Sequence, residues 1–203
     1  MKKTLKISIL LICILGVIWV GKLVAEHSQL GKQLVRLHVV AASDSAEDQR
    51  VKLQVRDAIM EWIQQKMPNI SNAEQAKSWL KTHLEDIADV ANDALQKADQ
   101  QDFAVVSLKK EAFPTRNYDT FSLPSGVYDA LRITIGEGNG KNWWCVVFPS
   151  FCTGATTKNF DDTAAGAGFS DTLSDTLTQK KGYEVRFFLL DCIGKLENFF
   201  FGR

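Results

Sequence analysis

The sequence predicts an α+β fold, with a mostly antiparallel sheet of about four strands and two helices packed on one face. Four short runs are apolar and rich in β-branched or aromatic residues: one beginning at Val35, and Phe103–Leu108, Val127–Ile135 and Trp143–Phe148. Two long segments between the first two runs repeat apolar residues at helical spacing. The chain has 203 residues, which is long enough to bury a core of this kind.

The charge balance argues against nucleic acid as a partner. Lys and Arg number 24 and Asp and Glu number 24, so the formal net charge is zero. No basic field is available to attract a polyanion. No catalytic signature is recognisable in the sequence, so no small-molecule substrate is expected.

Residues 1–25 indicate a signal peptide or an N-terminal membrane anchor. Three lysines precede an uncharged run from Ile7 to Gly21. That run is shorter than the ~20 apolar residues of a typical spanning helix, although residues beyond Lys22 could extend it. Cleavage after Ala25 would place Leu23 where a small residue is preferred, so removal and retention both stay open. The positive-inside rule places the rest of the chain outside the cytoplasm.

A compact domain is predicted over residues 33–152, after a short polar linker at Glu26–Lys32. Its first strand ends at small residues, and Asp44 or Ser45 can then cap a helix that runs to about Lys66. The apolar face of this helix comprises Val51, Val55, Ile59, Trp62 and Ile63.

A second helix is predicted from Ser71 to about Asp99. Ser71 and Glu74 have the spacing of a capping box. The apolar stripe of this helix is rich in alanine, which suits close packing on a sheet or on the first helix.

The segment Phe113–Cys152 contains the last two predicted strands, joined by a glycine-rich turn at Gly136–Gly140. A short Gly/Asn loop between two apolar runs favours a β-hairpin. A phosphate-binding loop would need a helix after the glycines, and here a strand follows.

The C-terminal part divides into two segments. Residues 153–182 are rich in Thr, Ala, Gly, Asp and Ser without periodicity, which predicts a flexible linker. Residues 183–203 predict an amphipathic helix. Its polar face is mixed rather than basic, which favours docking on the core or contact with a partner over lipid binding.

Motifs for catalysis and metal binding are weak. Two Ser-x-x-Lys matches, Ser78 with Lys81 and Ser107 with Lys110, lack the partner motifs of serine acyl-enzymes. The three histidines are scattered without further ligands at usable spacing, so no metal or other cofactor is expected. A hydrogen-bonded structural role is favoured for His38.

Cys145 and Cys152 are candidates for a disulfide. In an exported domain such a bridge would join the strand end to the turn after Pro149. Two buried thiols are the equally weighted alternative, because the bridge requires the chain to turn.

Polar and aromatic residues near the predicted strand ends form a candidate partner-binding set. Structural ion pairs, with acidic residues neutralising the arginines, are the alternative. Trp, Tyr and Arg commonly dominate protein contacts, and one of the two adjacent tryptophans is expected to be buried. The candidates are Arg36, His38, Ser43, Asp44, Arg116, Tyr118, Arg132, Glu137, Asn142, Trp143 and Trp144.

Four stretches together resemble the stage II sporulation protein R (SpoIIR) family of endospore-forming bacteria. They are the segments Arg36–Ile59, Phe113–Tyr118, Leu123–Cys152 and Tyr183–Phe187, and the pattern GEGNGKNWWCVVFP is the most specific. Residues 33–152 would then be the SpoIIR-like domain.

The resemblance implies an intercellular signal without chemistry of its own. Proteins of this family are exported from the forespore into the space between forespore and mother cell. There they trigger a membrane-embedded aspartic protease of the SpoIIGA type, which processes pro-sigma-E. Two alternatives stay open, a peptidoglycan-binding module and an exported cell-envelope enzyme. For the enzyme, the residues to test first are Arg36, His38, Asp44, Arg116 and Glu137.

Overall fold

The computed structural model of the chain describes residues 2–150, 157–178 and 184–201. Its elements in order are α1 (Lys2–Gln33), β1 (Val35–Val40), α2 (Ala46–Lys66), α3 (Ala73–Thr82), α4 (Leu84–Lys97), β2 (Ala104–Phe113), β3 (Arg116–Asn117), β4 (Ser122–Leu123), β5 (Gly126–Ile135), β6 (Asn142–Phe148), α5 (Thr157–Gly166), α6 (Asp171–Leu177) and α7 (Glu184–Phe201).

Four strands form one sheet in the order β2-β5-β1-β6. β1 lies parallel to β5 and antiparallel to β6, and β2 lies antiparallel to β5. The α+β class and the four-stranded sheet are therefore confirmed. The sheet is mixed, however, with a parallel pair at its centre, where the sequence predicted a mostly antiparallel arrangement.

The predicted hairpin between β5 and β6 is wrong, because β1 lies between these two strands. All six residues of β1 are buried, as expected of a central strand. The glycine-rich turn spans two strand spacings, about 10 Å, and folds over the end of β1. Gly140 donates its N–H to the carbonyl of Ala41 at 2.9 Å. A Cβ on Gly140 would stand 2.2 Å from the Ser43 carbonyl oxygen, so only glycine fits this approach.

One face of the sheet packs against α2, α3 and α4 around an aliphatic core. The sequence predicted two helices here, but the second is divided at His83. Asn72, not Ser71, caps α3 through its side chain. Ser45 caps α2 by accepting the N–H of Asp48 at 3.0 Å, which resolves the choice between Asp44 and Ser45.

The other face of the sheet is covered over one half by α1, α5, α6 and α7. Their buried side chains on this face are Leu30, Phe160, Ala164, Leu173, Leu177 and Phe187, and Leu34, just after α1, joins them. Residues 153–182 were predicted to be a flexible linker, but α5 and α6 lie within them and contribute to the second core. The sequence pattern missed these helices because their few apolar side chains are spaced among Thr, Asp and Ser residues, which have low helix propensity.

Helix α1 continues to Gln33 through the predicted polar linker, because His27 and Leu30 turn inward and are buried. Its first half projects from the domain with exposed apolar side chains. In the described part of the chain, α1 alone is long and apolar enough to cross a membrane.

Candidate functional site

The half of the second sheet face that the helices leave open carries a polar cleft. It has a volume of about 350 Å³ and is lined by His38, Lys109, Lys110, Glu111, Ala112, Arg132 and Trp144. Strand alternation places His38 of β1, Arg132 of β5 and Trp144 of β6 side by side, since His38 pairs with both of the others.

His38 is buried and held from three directions. Its Nδ1 lies 2.7 Å from Glu111 Oε2, and its Nε2 lies 2.8 Å from Asn142 Oδ1. The imidazole also stacks on the Trp144 ring, with centroids 3.8 Å apart. The structural role predicted for His38 therefore fits its surroundings, and it positions Asn142 and Trp144 at the rim of the cleft.

Glu111 is the charged centre of the cleft. Burial alone would raise the pKa of Glu111, but hydrogen bonds and charges from His38 and Arg132 outweigh it and lower the pKa. Arg132 Nη1 lies 3.2 Å and Lys109 Nζ lies 3.4 Å from Glu111 Oε1. The carboxylate thus stays ionised and organises the basic side chains around it.

The His38–Glu111 pair has the form of a base with an orienting carboxylate. A catalytic dyad would also need a ring nitrogen free to reach a nucleophile or water. Both nitrogens of His38 are engaged with Glu111 and Asn142. Among the described residues, no cluster of three or more His, Cys, Asp or Glu side chains is arranged to hold a metal ion.

Arg36 is fully buried next to the cleft. Its Nε donates to the Cys145 carbonyl at 3.0 Å and its Nη2 donates to the Tyr118 hydroxyl at 3.1 Å. The guanidinium lies 4.4 Å from the Phe113 ring centroid and 5.1 Å from that of Tyr128. Aromatic faces rather than a carboxylate stabilise this cation within the described structure. The alternative of a structural ion pair therefore does not apply to Arg36, whereas Arg132 does pair with Glu111.

Arg116 and Tyr118 lie beside Arg36 and Trp144 at one side of the cleft. The Arg116 guanidinium lies 5.5 Å from the Trp144 ring centroid. The Tyr118 ring stacks on Phe121, with centroids 4.6 Å apart. Seven predicted residues are therefore brought together at or beside the cleft: Arg36, His38, Arg116, Tyr118, Arg132, Asn142 and Trp144.

Ser43, Asp44 and Glu137 lie away from the cleft, around the glycine-rich turn. Asp44 Oδ1 accepts the N–H of Lys141 at 2.7 Å, and Ser43 donates its hydroxyl to Asp48. Glu137 Oε2 accepts from Asn139 within the turn at 2.9 Å. These contacts fix the turn against the start of α2.

The two adjacent tryptophans face opposite sides of the sheet, as their positions predict. Trp143 is exposed on the helical side, where the Arg56 guanidinium lies 4.4 Å from its ring centroid. Trp144 is half-buried in the cleft. The prediction that the two rings lie on opposite faces is therefore confirmed. The prediction that one of them is buried in the core is wrong, because neither is fully buried.

The pairing of Cys145 with Cys152 stays a prediction. Cys145 is disulfide-bonded, and Cys13 and Cys192 are free. Cys152, the partner predicted for Cys145, lies outside the described residues.

Sequence reasoning missed Glu111 and Lys109. Both follow the predicted run Phe103–Leu108, at a place where the sequence indicated an exposed turn or a strand end, whereas β2 continues to Phe113. The available signal was alternation, since Lys109, Glu111 and Phe113 share one face of an extended strand.

Comparison with known proteins gives one consistent result. A sequence model of the family described as stage II sporulation protein R matches residues 31–158. A curated relative from Bacillus subtilis (strain 168), named stage II sporulation protein R, is 31% identical over 222 aligned residues, covering 97% of this chain and 99% of the relative. No solved structure matches the chain significantly.

Proposed function

Because the chain belongs to the stage II sporulation protein R family, we propose that it is an exported intercellular signal of sporulation. It crosses the forespore membrane and activates a membrane-embedded aspartic protease of the SpoIIGA type, which then processes pro-sigma-E in the mother cell. The observation that carries this proposal is the similarity over nearly the full length of both chains. The apolar N-terminal helix supports export.

The position of α1 supports one surface for contact with the protease. α1 leaves the domain near Ser125, which precedes β5, and the glycine-rich turn follows the other end of that strand. Ten residues of extended strand separate these ends by about 33 Å. The end with the turn points away from the anchor, so it is the end that a receptor in an opposing membrane meets first. The cleft lies along the strands between the two ends, since Ala112 pairs with Val127 near the anchor and Arg132 lies nearer the turn.

Within this surface the predicted residues divide by exposure. Glu137, Asn142 and Trp143 are accessible and suit direct contact, as does the half-buried pair Arg132 and Trp144. The others act by holding this surface in place: Arg36, His38, Arg116 and Tyr118 beneath the cleft, and Ser43 and Asp44 beneath the turn.

Reconstitution with the protease and its substrate tests the proposal. Cleavage of the substrate is expected to require this protein, and deletion of residues 1–25 to abolish signalling between compartments. If the substrate is processed equally without the protein, the proposed function fails.

A matched pair of variants tests the surface. Arg132→Ala with Lys109→Ala removes two cations from the cleft, and Arg50→Ala with Lys81→Ala removes two exposed cations from the helical side. Loss of contact residues is expected to weaken activation about tenfold in the first variant only. Equal activation by both variants, with circular dichroism confirming folded protein, would exclude the cleft as the contact surface.

An exported enzyme of the cell envelope is the second candidate, favoured by the close His38–Glu111 pair in an open cleft. General acid–base chemistry contributes about 10²–10⁴ in rate, so Glu111→Gln would abolish an enzymatic effect. Unchanged signalling by a folded Glu111→Gln protein rules this candidate out.

A further inference from the structure

Helix α7 exposes its apolar side. Its outward residues fall within a sector about 120° wide that runs the length of the helix. We call this sector the α7 stripe; its most exposed members are Val185, Phe188, Leu196, Phe199 and Phe200. Phe188 is 61% and Phe199 is 82% exposed, which is unusual for aromatic side chains aligned along one helix face.

The inward side of α7 docks through polar contacts. Asp191 Oδ1 accepts from the backbone N–H of Ser125 at 2.8 Å and from the Ser125 hydroxyl at 2.9 Å. Asn198 Nδ2 donates to the Phe113 carbonyl at 2.8 Å. Gly194 lets the two backbones approach, because a Cβ there would stand 1.6 Å from the Ser125 carbonyl oxygen. The domain therefore provides hydrogen-bond partners for the inward polar groups of α7, and the stripe faces outward.

α7 runs crosswise to α1. Arg186, near one end of α7, pairs with Glu26, and Glu197, near the other end, lies 3.6 Å from His27. Arg186 and Glu197 are about 16 Å apart along α7, yet their partners are neighbours on a single turn of α1. If α1 lies along a membrane normal, α7 therefore lies along the membrane plane.

The depth of α7 also fits a membrane surface. Lys22 is the first charged residue after the uncharged run of α1, and Glu26 follows one turn later, about 6 Å along the helix. α7 covers the end of the domain from which α1 projects, since both helices contact Ser125. Its outward side thus faces in the direction that α1 takes.

We propose that α7 is an interfacial membrane helix whose stripe inserts into the same bilayer that α1 spans. The mixed polar side of α7, which argued against lipid in the sequence, is no obstacle, because Asp191 is buried and Arg186 and Glu197 lie against α1. The exposed Lys195 can extend its amine to the headgroup region. Together α1 and α7 would fix the orientation of the domain on the membrane. This inference rests on the anchoring part of the proposed function and is independent of the protease.

Spin labels on the full chain test this inference in vesicles of phosphatidylethanolamine and phosphatidylglycerol. In a background of Cys13→Ala and Cys192→Ala, single labels are placed by Phe188→Cys, Phe199→Cys or Leu15→Cys. The matched control is Phe103→Cys, an exposed aromatic position at the far end of the sheet. Frequent collisions of the spin label with oxygen indicate that it lies in lipid. Frequent collisions with a water-soluble nickel chelate indicate that it lies in water.

Labels at positions 188 and 199 are expected to lose nickel collisions and gain oxygen collisions relative to position 103. An in-plane helix further predicts that their depths agree within one helical turn, about 5.4 Å. Nickel access equal to that at position 103 overturns the inference, and so does protection from both reagents, which indicates cover by protein such as a second copy.

The label at position 15 separates this inference from the function. Lipid exposure at 15 with water exposure at 188 and 199 overturns the α7 assignment alone. Water exposure at position 15 overturns both the anchor and the α7 assignment. Failure to activate the protease with all three labels in lipid would overturn only the proposed function.

Discussion

Helices α2 and α7 have similar apolar periodicity, but α2 buries most of its apolar residues and α7 exposes most of its own. α2 buries Val51, Val55, Ile59 and Ile63 and turns its charged side to water. α7 buries Phe187 and Leu190 together with Asp191 and Gly194, and turns its stripe outward. The comparison shows that periodicity identifies a helix and its two faces, while the surroundings decide which face the domain takes.

The two docking surfaces explain this difference. α2 meets a sheet face of aliphatic side chains, where burial of apolar area is the favourable term. α7 meets the end of the sheet, where strand termini present backbone N–H and carbonyl groups that need partners. A polar helix face satisfies those groups, and an apolar face would leave them unpaired.

The largest expected effect comes from truncating the buried face of α2. Ile59→Ala removes a fully buried side chain and should lower the free energy of unfolding by about 2–5 kcal/mol. Thermal unfolding followed by circular dichroism in detergent measures it. If Ile59→Ala lowered the free energy of unfolding by less than substitutions at exposed positions do, burial of the apolar side of α2 would not be what holds this helix in place.

Gly194→Ala tests the polar docking of α7 through its closest contact. The new methyl group would overlap the Ser125 carbonyl, so a loss of about 1–3 kcal/mol is expected as α7 is forced away. The matched control is Gly166→Ala at the end of α5, where a Cβ meets no atom within 4 Å. Equal stability of the two variants would contradict the close approach of α7.

Asp191→Asn tests the charge in that docking surface. Burial raises the pKa of Asp191, but hydrogen bonds from Lys195, Ser125 and Thr115 outweigh it and lower the pKa to about 2. A depressed pKa stabilises the fold above the unfolded value near 4, and this stability is lost as pH falls from about 4 to 2. The wild type should lose about 2 kcal/mol over that range through this group.

The comparison with Asp191→Asn isolates that contribution. The variant has no carboxylate at position 191, so its stability should change less between pH 4 and pH 2 than that of the wild type. Parallel pH profiles of the two proteins would show that Asp191 is not held by the contacts described.

The smallest effect is expected on the exposed side of α7. Leu196→Ser removes a side chain that is 60% exposed and should change the free energy of unfolding in detergent by less than about 0.5 kcal/mol. The same unfolding measurement applies, with Ile59→Ala as the reference. A loss comparable to that of Ile59→Ala would place Leu196 in a packed interface.

Local pattern predicted the individual elements well, but it did not predict the order of the strands. The residues of β5 and β6 were assigned correctly, and their pairing was wrong because β1 is inserted between them. Sequence proximity favours a hairpin, whereas the fully buried β1 needs a neighbour on each edge. The two possible pairings involve segments that are far apart in the sequence, so a pattern read over a few neighbouring residues cannot distinguish them.

The sequence predicted several residues of the candidate site but not how they are arranged. His38, Arg132 and Trp144 were named from their strands, and the structure places them side by side. Glu111, which holds His38 and Arg132, was missed because its place beside them depends on the pairing of β2 with β5.

Short-range features of the chain were enough to predict the apolar N-terminal helix, the first strand and helix, the division of the two tryptophans and the family. These follow from short-range periodicity, capping and a contiguous motif. Long-range packing, in contrast, sets the central position of β1, the aromatic enclosure of Arg36 and the outward direction of the α7 stripe. Each of these depends on which distant surface offers an apolar or a hydrogen-bonding partner, and a linear pattern does not contain that information.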